Sequence, residues 1–190
     1  LQTYAGTGAA VDFELKSNVA GAHFTINGES VTGFKGKYLA EFATDFKAYP
    51  PAGYTFDHWE IQGQFNETEK KESCSTNLPG ELSGSLTSTC TITAVFTPNS
   101  YDYTLAINEL CASSDQNSGN VDAYGNYPDW IEVYNYGNEP IDLAGLYFSN
   151  KEENLQLSQI AYGSKSTVVE SKQRVLVWAN SDDVDGPLYL

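Results

Sequence analysis

Between Asp115 and Asp122 the chain reads Asp-Gln-Asn-Ser-Gly-Asn-Val-Asp, so oxygen-bearing side chains recur around a single glycine. Hard cations need several such oxygens converging at about 2.3–2.6 Å. Asp115, Asn117, Asn120 and Asp122 are therefore candidate ligands for calcium, and no other cofactor is suggested. An EF-hand would place a bidentate Glu at the twelfth position, where Asn126 stands instead. Asp182, Asp183 and Asp185 form a second acidic cluster. The same residue types make solvated turns, and that plainer reading stands beside calcium.

Flat rings are the second chemical resource. Tyr124, Tyr127, Trp130, Tyr134, Tyr136 and Tyr147 crowd one stretch of the chain. Exposed aromatics can stack on sugar rings or anchor a protein partner. Tyr124, Tyr127, Trp130, Tyr134 and Tyr136 are the candidate ligand-binding residues, against the alternative that they fill strand faces.

Three cysteines remain. Cys74 and Cys90 flank a polar stretch rich in Gly, Ser and Thr, as a disulfide pinning a surface loop would. Closing a loop of that size contributes about 3 kcal/mol in the chain-entropy account. Cys111 is left as a buried free thiol. Only His23 and His58 could serve as bases near neutral pH, and each sits between strand residues. The chain has no Gly-x-Ser-x-Gly elbow, no His-Glu-x-x-His and no phosphate-binding glycine loop. No catalytic residue is assigned.

Composition narrows the classes further. The 190 residues carry 10 basic and 25 acidic side chains, a net charge of −15. Nucleic acid calls for basic patches that this chain lacks. Aromatics at 13% argue against disorder, and no run of 18 apolar residues offers a membrane span. The absence of Met implies that Leu1 is not a translation start, as after removal of a signal peptide.

The elements that must position these residues read as strands, by alternation of apolar and polar side chains. Val11, Phe13 and Leu15 alternate with charged neighbours. Ala22, Phe24 and Ile26 lead into Asn27-Gly28, a hairpin turn dipeptide. Tyr38 to Ala48 fits either a helical face or a strand. Tyr54 to Ile61 and Thr91 to Thr97 are plainer strands. Beyond the Thr97-Pro98-Asn99-Ser100 break, strand-like runs recur at 103–110, 130–134, 146–149 and 174–179. Residues 1–100 carry a net −5 and residues 101–190 a net −10. The expectation is an all-β chain with a tail over 1–10, a small β-domain over 11–98, a linker over 99–102 and a β-sandwich over 103–190. In the sandwich, Asn135 and Gly137 would supply a turn after the Trp130–Tyr134 strand, and Asp142 would cap the next one.

Two resemblances bear on these parts. Gly53-Tyr54-Thr55-Phe56-Asp57-His58-Trp59, with Ile92-Thr93-Ala94-Val95-Phe96 later, resembles the divergent internalin-B-type bacterial repeat. It implies a strand-like Tyr38 to Ala48, and makes Gly63 to Thr89 a long insertion. Ile107-Asn108-Glu109-Leu110, Asp129-Trp130-Ile131-Glu132-Val133-Tyr134-Asn135, Ile141-Asp142-Leu143-Ala144-Gly145-Leu146 and Val175-Leu176-Val177-Trp178-Ala179 resemble the lamin tail domain, an immunoglobulin-like sandwich. That family implies a non-catalytic adhesion, anchoring or binding module of secreted or surface proteins in the bacterial envelope. Its further strands would lie past Leu190, so the sandwich is expected to be truncated, with an open edge through which copies could pair. The partners implied are protein or polysaccharide at a cell surface.

Overall fold

The computed structural model describes residues 9–72, 78–98, 104–117, 120–163, 167–179 and 188, and none of these lies in an α-helix. The all-β expectation holds. The chain divides into two compact units, 1–101 and 102–190.

The first unit is one seven-stranded sheet: β1 (Ala10–Ser17), β2 (His23–Ile26), β3 (Glu29–Val31), β4 (Phe34–Leu39), β5 (Thr44–Tyr49), β6 (Tyr54–Lys71) and β7 (Gly80–Pro98). β7 is its spine. One edge of β7 pairs with β6 along its length. The other edge takes β5 against Gly80–Gly84 and, further along, β1 in parallel against Cys90–Ala94. Asn18 prolongs that parallel ladder. Its amide donates to the Phe96 carbonyl at 2.9 Å and accepts from the Phe96 N–H at 2.8 Å.

The β6–β7 hairpin coils until its ends meet. Phe56 pairs with Phe96 near the end of β7, yet its ring also lies against Gly80 at the start of β7. A Cβ on Gly80 would sit 2.3 Å from that ring, so only glycine fits. Register shifts at Phe56/His58, Gly63/Phe65 and Glu67/Glu69 supply the bending. Inside the coil, Phe13, Leu15, Phe24, Phe46, Phe56, Trp59, Ile92 and Phe96 form the core. These are the alternating apolar positions of the sequence.

Two expectations for this unit change. Tyr38 to Ala48 is neither helix nor one strand. Glu41 adopts a left-handed φ of 59° and donates its N–H to the Leu86 carbonyl, breaking the run into β4 and β5. Gly63 to Thr89 is not the pinned surface loop expected, because β6 runs to Lys71 and β7 starts at Gly80.

The second unit contains β8 (Leu105–Cys111), β9 (Asp129–Asn135), β10 (Ile141–Asp142), β11 (Tyr147–Phe148), β12 (Ser158–Gln159), β13 (Val168–Val169) and β14 (Arg174–Ala179). They make a three-stranded sheet, β14-β9-β8, and two small sheets, β10-β13 and β11-β12. Val133, Leu143, Ile160, Val169 and Val177 join these sheets in one core. Asn135 is fully buried and turns the chain as expected, through its side-chain oxygen and not through a positive φ. Its amide donates to the carbonyls of Glu139, Val169 and Glu170, and its oxygen accepts from Gly137 N–H and the Thr104 hydroxyl. Gly137 closes that turn without a positive φ, and a Cβ there would lie 2.0 Å from Thr104 Oγ1. Asp142 does cap its turn, accepting from the Ala144 N–H at 2.9 Å.

Candidate functional site

The loop between β8 and β9 uses its carboxylates to build turns. Asp115 Oδ1 accepts from the Asn117 N–H at 2.8 Å, and the Asn117 side-chain amide donates to Asp115 Oδ2 at 3.2 Å. Asp122 Oδ1 accepts from the N–H groups of Tyr124 and Asn126 at 2.9 and 2.8 Å. Each Asp thus closes its own turn. Among the described residues, no group of three or more His, Cys, Asp or Glu could hold a metal ion. Asn120 lies in the same loop. Ser118 and Gly119, and the cluster Asp182, Asp183 and Asp185, lie outside the described residues.

The aromatic candidates do not gather into a platform. Trp130 is buried, 6% exposed, so its ring offers no stacking face. Tyr134 already carries the Arg174 guanidinium 4.4 Å from its ring centroid, and Arg174 is held in turn by Glu132 at 3.3 Å. Tyr124, Tyr127 and Tyr136 are exposed. The first two precede β9 and Tyr136 follows it, so about 20 Å of strand separates them. Closeness along the sequence does not become closeness in space, because the length of β9 lies between them.

Cys90 is a free, buried thiol among the core residues of the first unit. The expected Cys74–Cys90 bridge does not form. The intervening residues are no pinned loop, since 80–90 belong to β7, and Cys90 pairs opposite Gly63, well inside the hairpin. Cys74 lies outside the described residues. Burial pushes the Cys90 thiol up, away from the reactive thiolate. Cys111 is only partly buried, against the expectation of a buried thiol. With iodoacetamide at pH 8, Cys111 should therefore label in the native protein, and Cys90 only once the first unit unfolds. Peptide mass mapping checks this, and a Cys74–Cys90 linked peptide under non-reducing conditions would refute it.

His58 lies on the exposed side of β6, with Nδ1 3.2 Å from Asp57 Oδ2 and Nε2 3.7 Å from Glu60 Oε1. Close by, Glu72 accepts from Lys70 Nζ at 2.7 Å and from the Trp59 N–H at 3.3 Å. The Lys70 hydrogen bond chiefly holds the Glu72 carboxyl below its usual range. Burial likewise lowers His23, whose Nε2 lies 2.6 Å from Ser30 Oγ. In both cases the unfolded chain takes up the proton at higher pH than the folded one. Stability of the first unit should be complete at neutral pH and fall on acidification, starting below 6.5 at His23 and continuing below 4.5 at Glu72. Thermal melts from pH 8 to 3.5 test this, with Glu72→Gln flattening only the lower part.

Two grooves open among the described residues. One, of about 290 Å³, runs over Asp12, Phe13, Glu14, Lys35 and Cys90 in the first unit, where Lys35 and Glu14 pair at 3.2 Å. The other, of about 160 Å³, opens in the second unit beside β8 and is lined by apolar residues, among them Leu105, Ile107, Val133, Leu143, Leu146 and Phe148.

The aromatic motif of the first unit lies at the start of β6 and on β7. Tyr54, Phe56 and Trp59 open β6, with Phe56 and Trp59 ring centroids 5.2 Å apart and Phe56 and Phe96 5.7 Å apart. Residues 17–100 match the divergent InlB B-repeat domain. Domains of this repeat family are found in bacterial surface proteins. The repeat signature here is packing, since its aromatic positions are core residues. The repeat match takes in β2 to β7 with the end of β1 and stops before the second unit, so it lends the lamin-tail resemblance no support. Neither the curated proteins nor the solved structures contain a match to this chain.

Proposed function

We propose that the chain is a non-catalytic module of a secreted or cell-surface bacterial protein, serving adhesion, anchoring or protein interaction as the accessory part of a larger protein. The observation that carries this reading is the repeat match over residues 17–100, a domain type of bacterial surface proteins. The second unit supports it as a compact β-domain with its own core. There we read a lamin-tail-like sandwich, on the order of its motifs and on three small sheets packed around one core.

Bead-coupled protein offered to cell-surface preparations tests the function. Retention that survives periodate but is lost after protease treatment of the surface is expected. Loss after periodate alone would replace this reading with carbohydrate binding, for which Tyr124 and Tyr127 share one exposed loop. No retention on any surface would overturn both.

A further inference from the structure

β8 is an edge strand: β9 pairs with one side of it, and no described strand pairs with the other. Exposed edges are usually blunted with Lys, Pro or a covering element. Leu105–Cys111 contains neither Lys nor Pro, and a register shift at Ile107/Glu109 is its one disruption. Instead it presents Ile107 and Leu110, 67% and 62% exposed. The apolar groove lies at the same edge and reaches the core residues Val133 and Leu143, with β11 supplying Phe148 as its far wall.

We propose that this edge receives an extended segment of a partner protein as an added strand. The segment seats one branched or aromatic apolar side chain in the groove and carries Lys or Arg on either side. Unpaired strand backbone is satisfied by another strand's N–H and C=O groups, while a flanking pocket selects side chains at alternate positions. A dry apolar cavity of about 150 Å³ takes a benzene ring, so a groove of about 160 Å³ fits one such side chain. Charge specifies the flanks, because residues 101–190 carry 4 basic against 14 acidic residues and Glu109 stands in the middle of the edge. The same acidity disfavours a second copy, which would bring a net −10 and its own Glu109 to the pairing. This inference stands on the second unit alone and does not need the cell-surface reading.

The probe is a labelled nine-residue peptide alternating Thr and Val, with Leu at its centre and Lys at both ends, titrated against the full chain by fluorescence anisotropy. Two further forms carry N-methyl groups on alternate backbone nitrogens, one form for each edge of the peptide. Saturable binding is expected, weakened about tenfold or more by methylation of one edge only. Ile107→Glu and Leu110→Glu should weaken it similarly, with folding confirmed by near-ultraviolet circular dichroism. No binding at millimolar peptide, or equal loss in both methylated forms, would overturn the proposal. So would sedimentation as a dimer that Ile107→Glu dissolves, which would assign the edge to a second copy.

Discussion

Gly80→Ala lowers the stability of the first unit by about 2–3 kcal/mol, and a smaller side chain at position 56 recovers part of that loss. The added methyl would sit 2.3–2.5 Å from three ring atoms of Phe56. That ring cannot swing away, because it is fully buried between Trp59 and Phe96. Phe56→Leu alone loses packing contacts and is also destabilising. In the double variant the two faults compensate, and the coupling should exceed about 0.5 kcal/mol, the usual scatter for independent sites. Urea melts of the four proteins measure it. Simple additivity would mean that the ends of β7 do not meet over Phe56.

Asn135→Ala is expected to cost the second unit about 3–4 kcal/mol. The side chain satisfies three carbonyls, one N–H and one hydroxyl at 2.7–3.3 Å from a fully buried position. Leaving buried polar groups without partners costs about 1–3 kcal/mol each, softened where water or the chain can follow. Asn135→Asp separates hydrogen bonding from packing. It keeps the shape but turns an acceptor toward the carbonyls of Glu139, Val169 and Glu170. It should therefore be as damaging at pH 7, and wild-type stability in that variant would refute the account. Each unit has its own core, so this substitution should move only the second unit's transition and Gly80→Ala only the first.

The strands legible in the sequence are those long enough to show a period. Phe13 and Leu15, Phe24 and Ile26, and Ile92, Ala94 and Phe96 all point into the core as their alternation predicts. β10, β12 and β13 have two residues each, too few to display alternation, and β11 was legible only within the longer 146–149 run. Other features depend on contacts far apart in the sequence. Glu41 breaks a pattern that fitted two periods because its left-handed φ is imposed by a contact with Leu86 45 residues away. Asn135 and Gly137 make the local turn their types suggest, but both also meet Thr104, which no local rule connects to them. Candidate site residues were less legible still. An Asp that ligates calcium and an Asp that closes a turn look alike in sequence, and the hydrogen bonds of Asp115 and Asp122 make only the second role visible. The apolar groove was illegible, since Leu105, Leu143 and Phe148 come from three separate stretches.

The parallel pairing of β1 with β7 has a mechanical consequence. The chain enters the sheet at Ala10 and leaves β7 at Pro98, and side-by-side parallel strands put those two points at opposite ends of one ladder. Tension between them runs along the strands and strains the rungs from Phe13–Cys90 to Ser17–Ala94 together, with the Asn18–Phe96 pair behind them. An antiparallel pair pulled from one end would open one rung at a time. Loading all rungs in shear slows forced opening, which is governed by the unfolding rate and not by equilibrium stability. The first unit is thereby built to hold when stretched through its ends.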